Sequence, residues 1–330
     1  MMRAAVAALA AVLAGGMAAT AAADQSKNYD PLDLLARMAA AAQTTSFSGT
    51  YIHQYGDRVE TFRITRISDD VGQLERLESL DGPAREMLRK NDEIACYKPD
   101  SKTVRLDKQK RGMFPSLLPA QAMNLTGYYQ VKLGHADRVA SHDCQWVVLE
   151  PKDVFRFSYR YCADLISGLM LKAAMIDDKN EMVERYAFTH LNMGVPSNRA
   201  QIKALYAEKR EGWRTEHSST REFQPGESGW LVSNSPPGFK PVMEVERTRG
   251  NSGRKMVHMV ISDGLAAVSV FIEPAHSSDK PIEGIASKGN AKLYMKTVAD
   301  HQVTVYGEVP PASLKQIGNS IALRVKSAEK

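Results

Sequence analysis

The sequence predicts an α+β protein: a large N-terminal domain built on an antiparallel sheet, and a small C-terminal domain of sheet plus helix. Three observations carry this. Between Phe47 and Leu191 apolar and polar residues alternate with a period of two, in runs broken by turn signals. A polar stretch at residues 205–229 has the composition of a linker. Sustained helical periodicity is opened by proline at two places, Asp30-Pro31 and Pro310-Pro311. The expected boundaries are 24–204 for the first domain, 205–229 for the linker and 230–330 for the second domain.

Residues 1–23 read as a cleavable secretory signal. Arg3 precedes a small-apolar stretch from Ala4 to Leu13, and Ala21 and Ala23 supply the small side chains of an A-x-A end. The apolar centre is shorter than the roughly 20 residues of a membrane span. Lys and Arg number 43 against 38 Asp and Glu, a net charge of +5, and loss of Arg3 leaves +4. This mild excess of base suits an anionic partner no better than it suits an ordinary solvated surface.

After the first helix, which carries Leu34, Leu35, Met38 and Ala39 and ends near Gln43, the period changes to two. Phe47, Tyr51, Phe62 and Ile64 share one face across a turn at Gly56-Asp57. Strand-like segments then follow at Gln73–Leu80, Arg85–Arg89, Glu93–Tyr97 and Thr103–Leu106. The proline-broken apolar run from Met113 to Met123 interrupts this meander and reads as a helical flap over the sheet. Strands resume at Tyr128–Leu133, Met170–Ile176 and Val183–Leu191.

Three cysteines in an exported chain suggest one disulfide and one free thiol. Folding Cys144–Glu150 onto Arg156–Cys162 so that the apolar faces coincide sets Leu149 against Phe157, Val147 against Tyr159 and Glu150 against Arg156. That register places Cys144 opposite Cys162, within bridging reach. The bland alternative is three reduced, buried thiols. Cys96, in Ile94-Ala95-Cys96-Tyr97, reads as buried.

Within the polar stretch Trp213 stands out, as an aromatic pinned to a flanking domain or touching a partner. The second domain begins near Trp230. Val242–Arg249 and Lys255–Ile261 form a hairpin about Gly250-Asn251-Ser252-Gly253, and Asp263-Gly264 turns the chain into Leu265–Ile272. A further hairpin about Asp300 precedes a helix with Leu314, Ile317 and Ile321 on one stripe.

No catalytic constellation emerges. The tetrad around Ser252 lies between alternating strands and reads as a turn, without the base and orienting acid a serine nucleophile needs. The eight histidines lack metal-ligand spacing, and no Cys-x-x-Cys pair exists. Glu244 and Glu246 share a strand face and read as solvated. No cofactor or nucleic-acid partner is indicated, and homo-oligomerisation is left open. An aromatic- and methionine-bearing sheet under an apolar flap argues instead for binding something apolar.

Several stretches resemble the RseB/MucB family of periplasmic sigma-factor regulators. They are Gln73 to Glu86 followed by Asn91-Asp92-Glu93, Ser262-Asp263-Gly264-Leu265 through Phe271-Ile272-Glu273, and Gly307-Glu308-Val309-Pro310-Pro311-Ala312-Ser313-Leu314. The resemblance spans both domains. It implies a non-enzymatic protein of the periplasm whose first domain is a lipoprotein-carrier-like (LolA/LppX-like) curved sheet around helices, with an apolar cavity. It implies that the second domain, with the linker, binds the periplasmic part of a membrane-anchored anti-sigma factor and shields it from regulated proteolysis. Lipopolysaccharide or another acylated ligand would release it. A lipid or lipoprotein carrier is the alternative. On this basis Phe47, Tyr51, Phe62, Met87, Met113, Phe114, Leu117 and Leu118 are expected to line the cavity. Trp213, Phe239, Met243, Phe271, Tyr294 and Tyr306 are offered for the partner surface, with the hinge near Trp213.

Overall fold

A computed structural model of the chain describes residues 29–108, 112–119, 121–194, 198–217, 220–224, 226–249, 254–275, 283–288 and 291–324. The expected signal segment 1–23 and the Ser252 turn lie outside these residues.

The first helix, α1 (Pro31–Thr44), starts where its sequence says it should. Asp30 accepts a hydrogen bond from the Leu32 N–H at 3.0 Å, and Pro31 occupies a position whose N–H would be unused. A 14-residue helix is marginal alone, so its stability comes from burying Leu34, Leu35, Met38, Ala39, Ala41 and Ala42. The strands that follow are β1 (Phe47–Tyr55), β2 (Arg58–Asp69), β3 (Gly72–Ser79), β4 (Glu86–Lys90), β5 (Glu93–Lys98), β6 (Thr103–Lys108), β7 (Tyr129–Val139), β8 (His142–Pro151), β9 (Ser158–Asp164), β10 (Met170–Ile176) and β11 (Met182–Met193). With one later strand they form a twelve-stranded sheet that runs from β6 through β1 to β11 and then back from β10 to β7. β7 comes close to β11, four positions away in that order, so this end curls strongly and encloses α1. The core within the curl joins α1 to Phe47, Tyr51, Ile64, Val147, Leu149, Tyr161, Leu171 and Phe188. Gly49 permits the closest strand approach, since a Cβ there would sit 2.5 Å from the His190 carbonyl oxygen and 3.1 Å from the Phe188 ring.

Three main expectations, and some single residues, need correction. The flap is not helical at its start: Phe114 and Pro115 form a turn joined by a cis peptide, and only Ala122–Gly127 coils, as a 3-10 helix. In the cysteine hairpin the strands are offset by two residues, with Leu149 opposite Tyr159, Val147 opposite Tyr161 and Cys144 opposite Asp164. The connection is longer than a tight turn because Asp153 folds it, accepting from the Phe155 N–H at 2.9 Å and from Arg156 Nε at 3.1 Å. The Cys144–Cys162 disulfide is nonetheless present as a diagonal pair, at a Cα–Cα separation of 5.5 Å. Glu150 pairs with Lys132 rather than Arg156. Cys96 is a free thiol, half-buried rather than fully buried.

The third correction concerns the polar stretch. Its first part belongs to α2 (Arg199–Arg210), which buries Ile202 and Tyr206 against Ile67, Leu74, Tyr97 and Val104. β12 (Arg214–His217) then adds parallel to β6 as the twelfth strand, and β13 (Thr220–Glu222) opens the second sheet. The chain therefore passes from one sheet to the other between His217 and Thr220.

The second domain continues with β14 (Trp230–Val232), β15 (Lys240–Arg249), β16 (Arg254–Ser262), β17 (Ala267–Pro274), β18 (Gly284–Lys288), β19 (Ala291–Val298), β20 (His301–Gly307), α3 (Pro311–Ser320) and β21 (Ile321–Leu323). Seven strands in the order β13-β15-β16-β17-β20-β19-β18 form one sheet, and β14 pairs with β21 beside it. α3 lays Leu314 and Ile317 on Val268, Val270, Val303 and Val305. Glu244 faces this interior rather than solvent, and accepts from the Gly226 and Ser228 N–H groups at 2.6 and 3.0 Å.

Replacing both Cys144 and Cys162 by Ala reopens a bridge of sequence separation 18. The expected loss is about 3 kcal/mol of unfolding free energy, read by chemical denaturation of the oxidised protein against the variant.

Candidate functional site

The two domains meet on a single arginine. Arg156 projects from the Asp153-folded connection, and neither its side chain nor that of Asp263 on the second domain is exposed at all. Arg156 Nη1 donates to Asp263 Oδ2 at 3.0 Å, and Nη2 donates to the Pro237 carbonyl at 2.6 Å. Asp153 supplies a second carboxylate at 3.1 Å. The guanidinium also lies over the rings of Tyr128, Phe239 and Tyr129, at 4.8, 5.1 and 5.5 Å. Tyr129 donates to the same Asp263 oxygen at 3.1 Å, while Asp263 Oδ1 accepts from the Leu265 and Ala266 N–H groups. Burial, with Tyr159 and Asp263 as smaller causes, drives the Tyr129 phenol far up, so it stays protonated and donates.

This hub presses the Asp263 turn onto the first domain. Leu265 enters the core of the curled sheet, Gly264 lies against Leu125 and Pro119, and Ser313 of α3 donates to the Phe155 carbonyl. Gly238 is needed at φ +83, since a Cβ there would overlap the Tyr128 ring at 2.4 Å. Beside the hub remains a cleft of about 70 Å³. Leu117, Tyr159, Tyr161, Met175 and Tyr186 line it from the first domain, and Leu265, Ala267 and Glu308 from the second. A drug-sized ligand needs about 300 Å³ or more, so this is the remnant of a pocket.

Aromatic rings occupy the floor beneath. Tyr51 stacks on Phe62 at 5.4 Å and meets Phe114 at 5.0 Å, while Phe114 stacks on Tyr186 at 5.2 Å and packs on Phe188 at 5.1 Å. The Tyr186 hydroxyl donates to Glu184 at 2.7 Å, and His53 stacks on its ring while bonding the same carboxylate oxygen. Burial first, and Glu184 next, raise the Tyr186 phenol. The flap is pinned from below: buried Arg66 pairs with Glu75 and donates to the Ala42 carbonyl at 2.6 Å and to Ser116 Oγ at 2.7 Å.

Of the residues the sequence singles out for the cavity, Phe47, Tyr51, Phe114 and Leu118 are core, with Phe62 and Leu117 packed against it. Leu117 also faces the cleft. Met87, paired with Leu77 and Cys96, and Met113 are half-buried outside that cluster. The partner set divides four ways. Met243, Phe271 and Tyr306 share the outer face of the second sheet. Tyr294 lies on the opposite face, bonded to Asn319, and Phe239 is buried under Arg156. Trp213 sits edge-on to Tyr97 of the first domain at 5.8 Å. Sequence reasoning missed Arg156, Asp263, Tyr129, Glu184, Tyr186 and Phe188. The Asp263-Gly264 turn was the one visible signal, because an Asp opening a turn has an acceptor to share. Among the described residues no cluster of His, Cys, Asp and Glu could hold a metal ion.

Comparison with known proteins covers both halves. The family model of the MucB/RseB N-terminal domain matches residues 30–206, and that of the MucB/RseB C-terminal domain matches residues 224–322. The chain is 28% identical over 309 residues to the sigma factor AlgU regulatory protein MucB of Pseudomonas aeruginosa, covering 88% of this chain and 90% of that protein. It is 23% identical over 290 residues to the sigma-E factor regulatory protein RseB of Escherichia coli K12, covering 87% and 89%. Among solved structures, a crystal structure of MucB in complex with MucA(peri) superposes with a TM-score of 0.70 at 25% identity, over 90% of this chain and 100% of that one.

Arg156→Met keeps the bulk of the side chain and strands Asp263 without its counter-ion. The expected cost is about 3–5 kcal/mol in denaturant unfolding of the full chain. A change under about 1 kcal/mol would mean that water reaches the pair.

Proposed function

The chain belongs to the MucB/RseB family, and from that premise we propose that it is a periplasmic regulator that binds the periplasmic part of a membrane-anchored anti-sigma factor. Binding shields the anti-sigma factor from regulated proteolysis and so keeps its sigma factor inactive. Lipopolysaccharide, or another acylated ligand, releases it. Among the described residues no helix is long and apolar enough to cross a membrane.

The observation that carries this reading is the Arg156–Asp263 hub beside a small cleft that both domains line. An acyl chain cannot enter about 70 Å³. To admit one, Leu265 and Leu117 must withdraw, which separates the Asp263 turn from the first domain and breaks a pair that is stable only when desolvated together. Ligand therefore favours an open arrangement. If the anti-sigma segment favours the closed one, each lowers the other's affinity by the same factor. A carrier would use the same cleft after the same opening, so the test below separates the two readings.

The test is calorimetric titration of the mature full-length protein with the periplasmic segment of its own organism's anti-sigma factor, with and without lipopolysaccharide. Binding that lipopolysaccharide weakens, matched by an equal weakening of lipopolysaccharide binding by the segment, is the expected result. No binding of the segment, together with transfer of lipid between vesicles, would reverse the reading in favour of a carrier.

A further inference from the structure

The cleft between the domains carries charge of one sign. Among the described residues its lining holds two carboxylates, Glu184 from the first domain and Glu308 from the second, and no lysine, arginine or histidine. Both carboxylates are half-buried. Glu184 Oε1 is already engaged, accepting from the Tyr186 hydroxyl and from His53 Nε2, each at 2.7 Å. Among the described residues nothing bonds Glu184 Oε2. Glu308 lies near enough to act on the same tyrosine: after burial and Glu184, its charge is a further cause of the raised Tyr186 phenol.

The neighbouring cations are engaged or face elsewhere. Arg156 is held by Asp263 and Asp153. Arg185, next to Glu184 in β11, lies on the other face of the sheet and donates to Gln54 at 2.8 Å. Lys172, on that same outer face, reaches Asp137 at 3.5 Å. Arg58, at the tip of the β1–β2 hairpin, bonds Tyr55, and His53 stands opposite Glu60 on β2. Like charges set on two bodies about one partly desolvated cleft oppose its closure, and a cation seated between them reverses the sign. Volume selects the cation. About 70 Å³ admits an ammonium, close to a water molecule in size, with its last methylenes, and no bulkier headgroup. A lysine suits this space, because its stem can lie on Leu117, Met175 and Leu265 while its three N–H groups bond the carboxylates and a tyrosine hydroxyl. A metal ion suits it less, since among the described residues no three of His, Cys, Asp and Glu converge to hold one. A free amine would make this contact alone and bind weakly, whereas a side chain on a longer segment shares the entropy of association with the segment's other contacts.

We propose that the cleft receives one lysine side chain from a docked peptide segment of a partner protein, and that its ammonium bridges Glu184 and Glu308 and so holds the two domains closed. That the partner is the anti-sigma segment rests on the function proposed above. The charge and size of the cleft do not. The bridge supplies the reason that segment would favour the closed arrangement, and an acylated ligand must displace the lysine to enter.

The experiment titrates the mature full-length protein with two probes, acetyl-Ala-Leu-Lys-Leu-Ala-amide and its norleucine counterpart, following the Met175 methyl group by NMR with 13C-methyl-labelled methionine. The lysine peptide is expected to bind about tenfold more tightly, to shift the Met175 signal, and to lose that advantage in Glu308→Gln and in Glu184→Gln alike. The two substitutions lie on different domains, so a shared effect reports the bridge, and unaltered signals from the other methionines show that each variant remains folded. Equal binding of the two peptides, or no binding of either, overturns the proposal. So does butylammonium or Mg2+ matching the lysine peptide at equal concentration with the same dependence on both glutamates, which would make the cleft a small-cation site. The periplasmic segment of its own organism's anti-sigma factor is expected to bind Glu308→Gln about tenfold more weakly than the unaltered protein. If it binds both alike, the assignment of that partner to the cleft falls while the regulatory function stands. If the segment fails to bind while the lysine peptide succeeds, the regulatory function falls and the cleft's preference stands.

Discussion

An arginine removed from water must find its counter-charges inside the protein, and Arg156 finds one of them on the other domain. That constraint organises the molecule. Asp263 can satisfy Arg156 only if its turn lies against the curled sheet, and once there it brings Leu265 into the first domain's core. Phe239, Pro237 and Tyr129 complete the enclosure. The pair adds little net stability over a well-packed apolar contact of the same volume, yet breaking it by removing one member is expensive. What it supplies is geometric discrimination, between an aligned contact with every group paired and a misaligned one that would bury a charge without its partner.

The interior of the curl is arranged to match. Most of what could be a lipid pocket holds the stacked set Tyr51, Phe62, Phe114 and Tyr186, over which the flap is fastened by Arg66 through Ser116. The fastening is polar and the filling apolar. The space for an acyl chain would come from rearranging these rings together with Leu265, rather than from an existing void.

Much of this was legible in the sequence. Asp30-Pro31 and Pro310-Pro311 marked the helix starts, and alternation marked most of the longer strands, but not the short β12, β13, β14, β18 and β21. Alternation could not set the hairpin register, because a shift of two residues returns every side chain to its own face. The cysteine pairing survived that error because diagonal neighbours also come within reach of a bridge. The polar stretch was misjudged for a related reason: Ile202 and Tyr206, one helical turn apart among charges, are too few to show a period. Arg156 carried no signal of its own, since its partners on the other domain, Asp263 and Pro237, lie 107 and 81 residues away and only folding makes them neighbours.

The crossing from β12 to β13 has a mechanical meaning. Both strands are hydrogen-bonded into their own sheets, so His217 and Thr220 are fixed points on separate bodies joined by three Cα steps, at most about 11 Å. With so short a tether the domains cannot drift apart when their contact opens; they can only pivot. Asp263 then stays at a high effective concentration around Arg156. Under the function proposed above, closure after a ligand departs would be a local search rather than a reunion, and so a quick one.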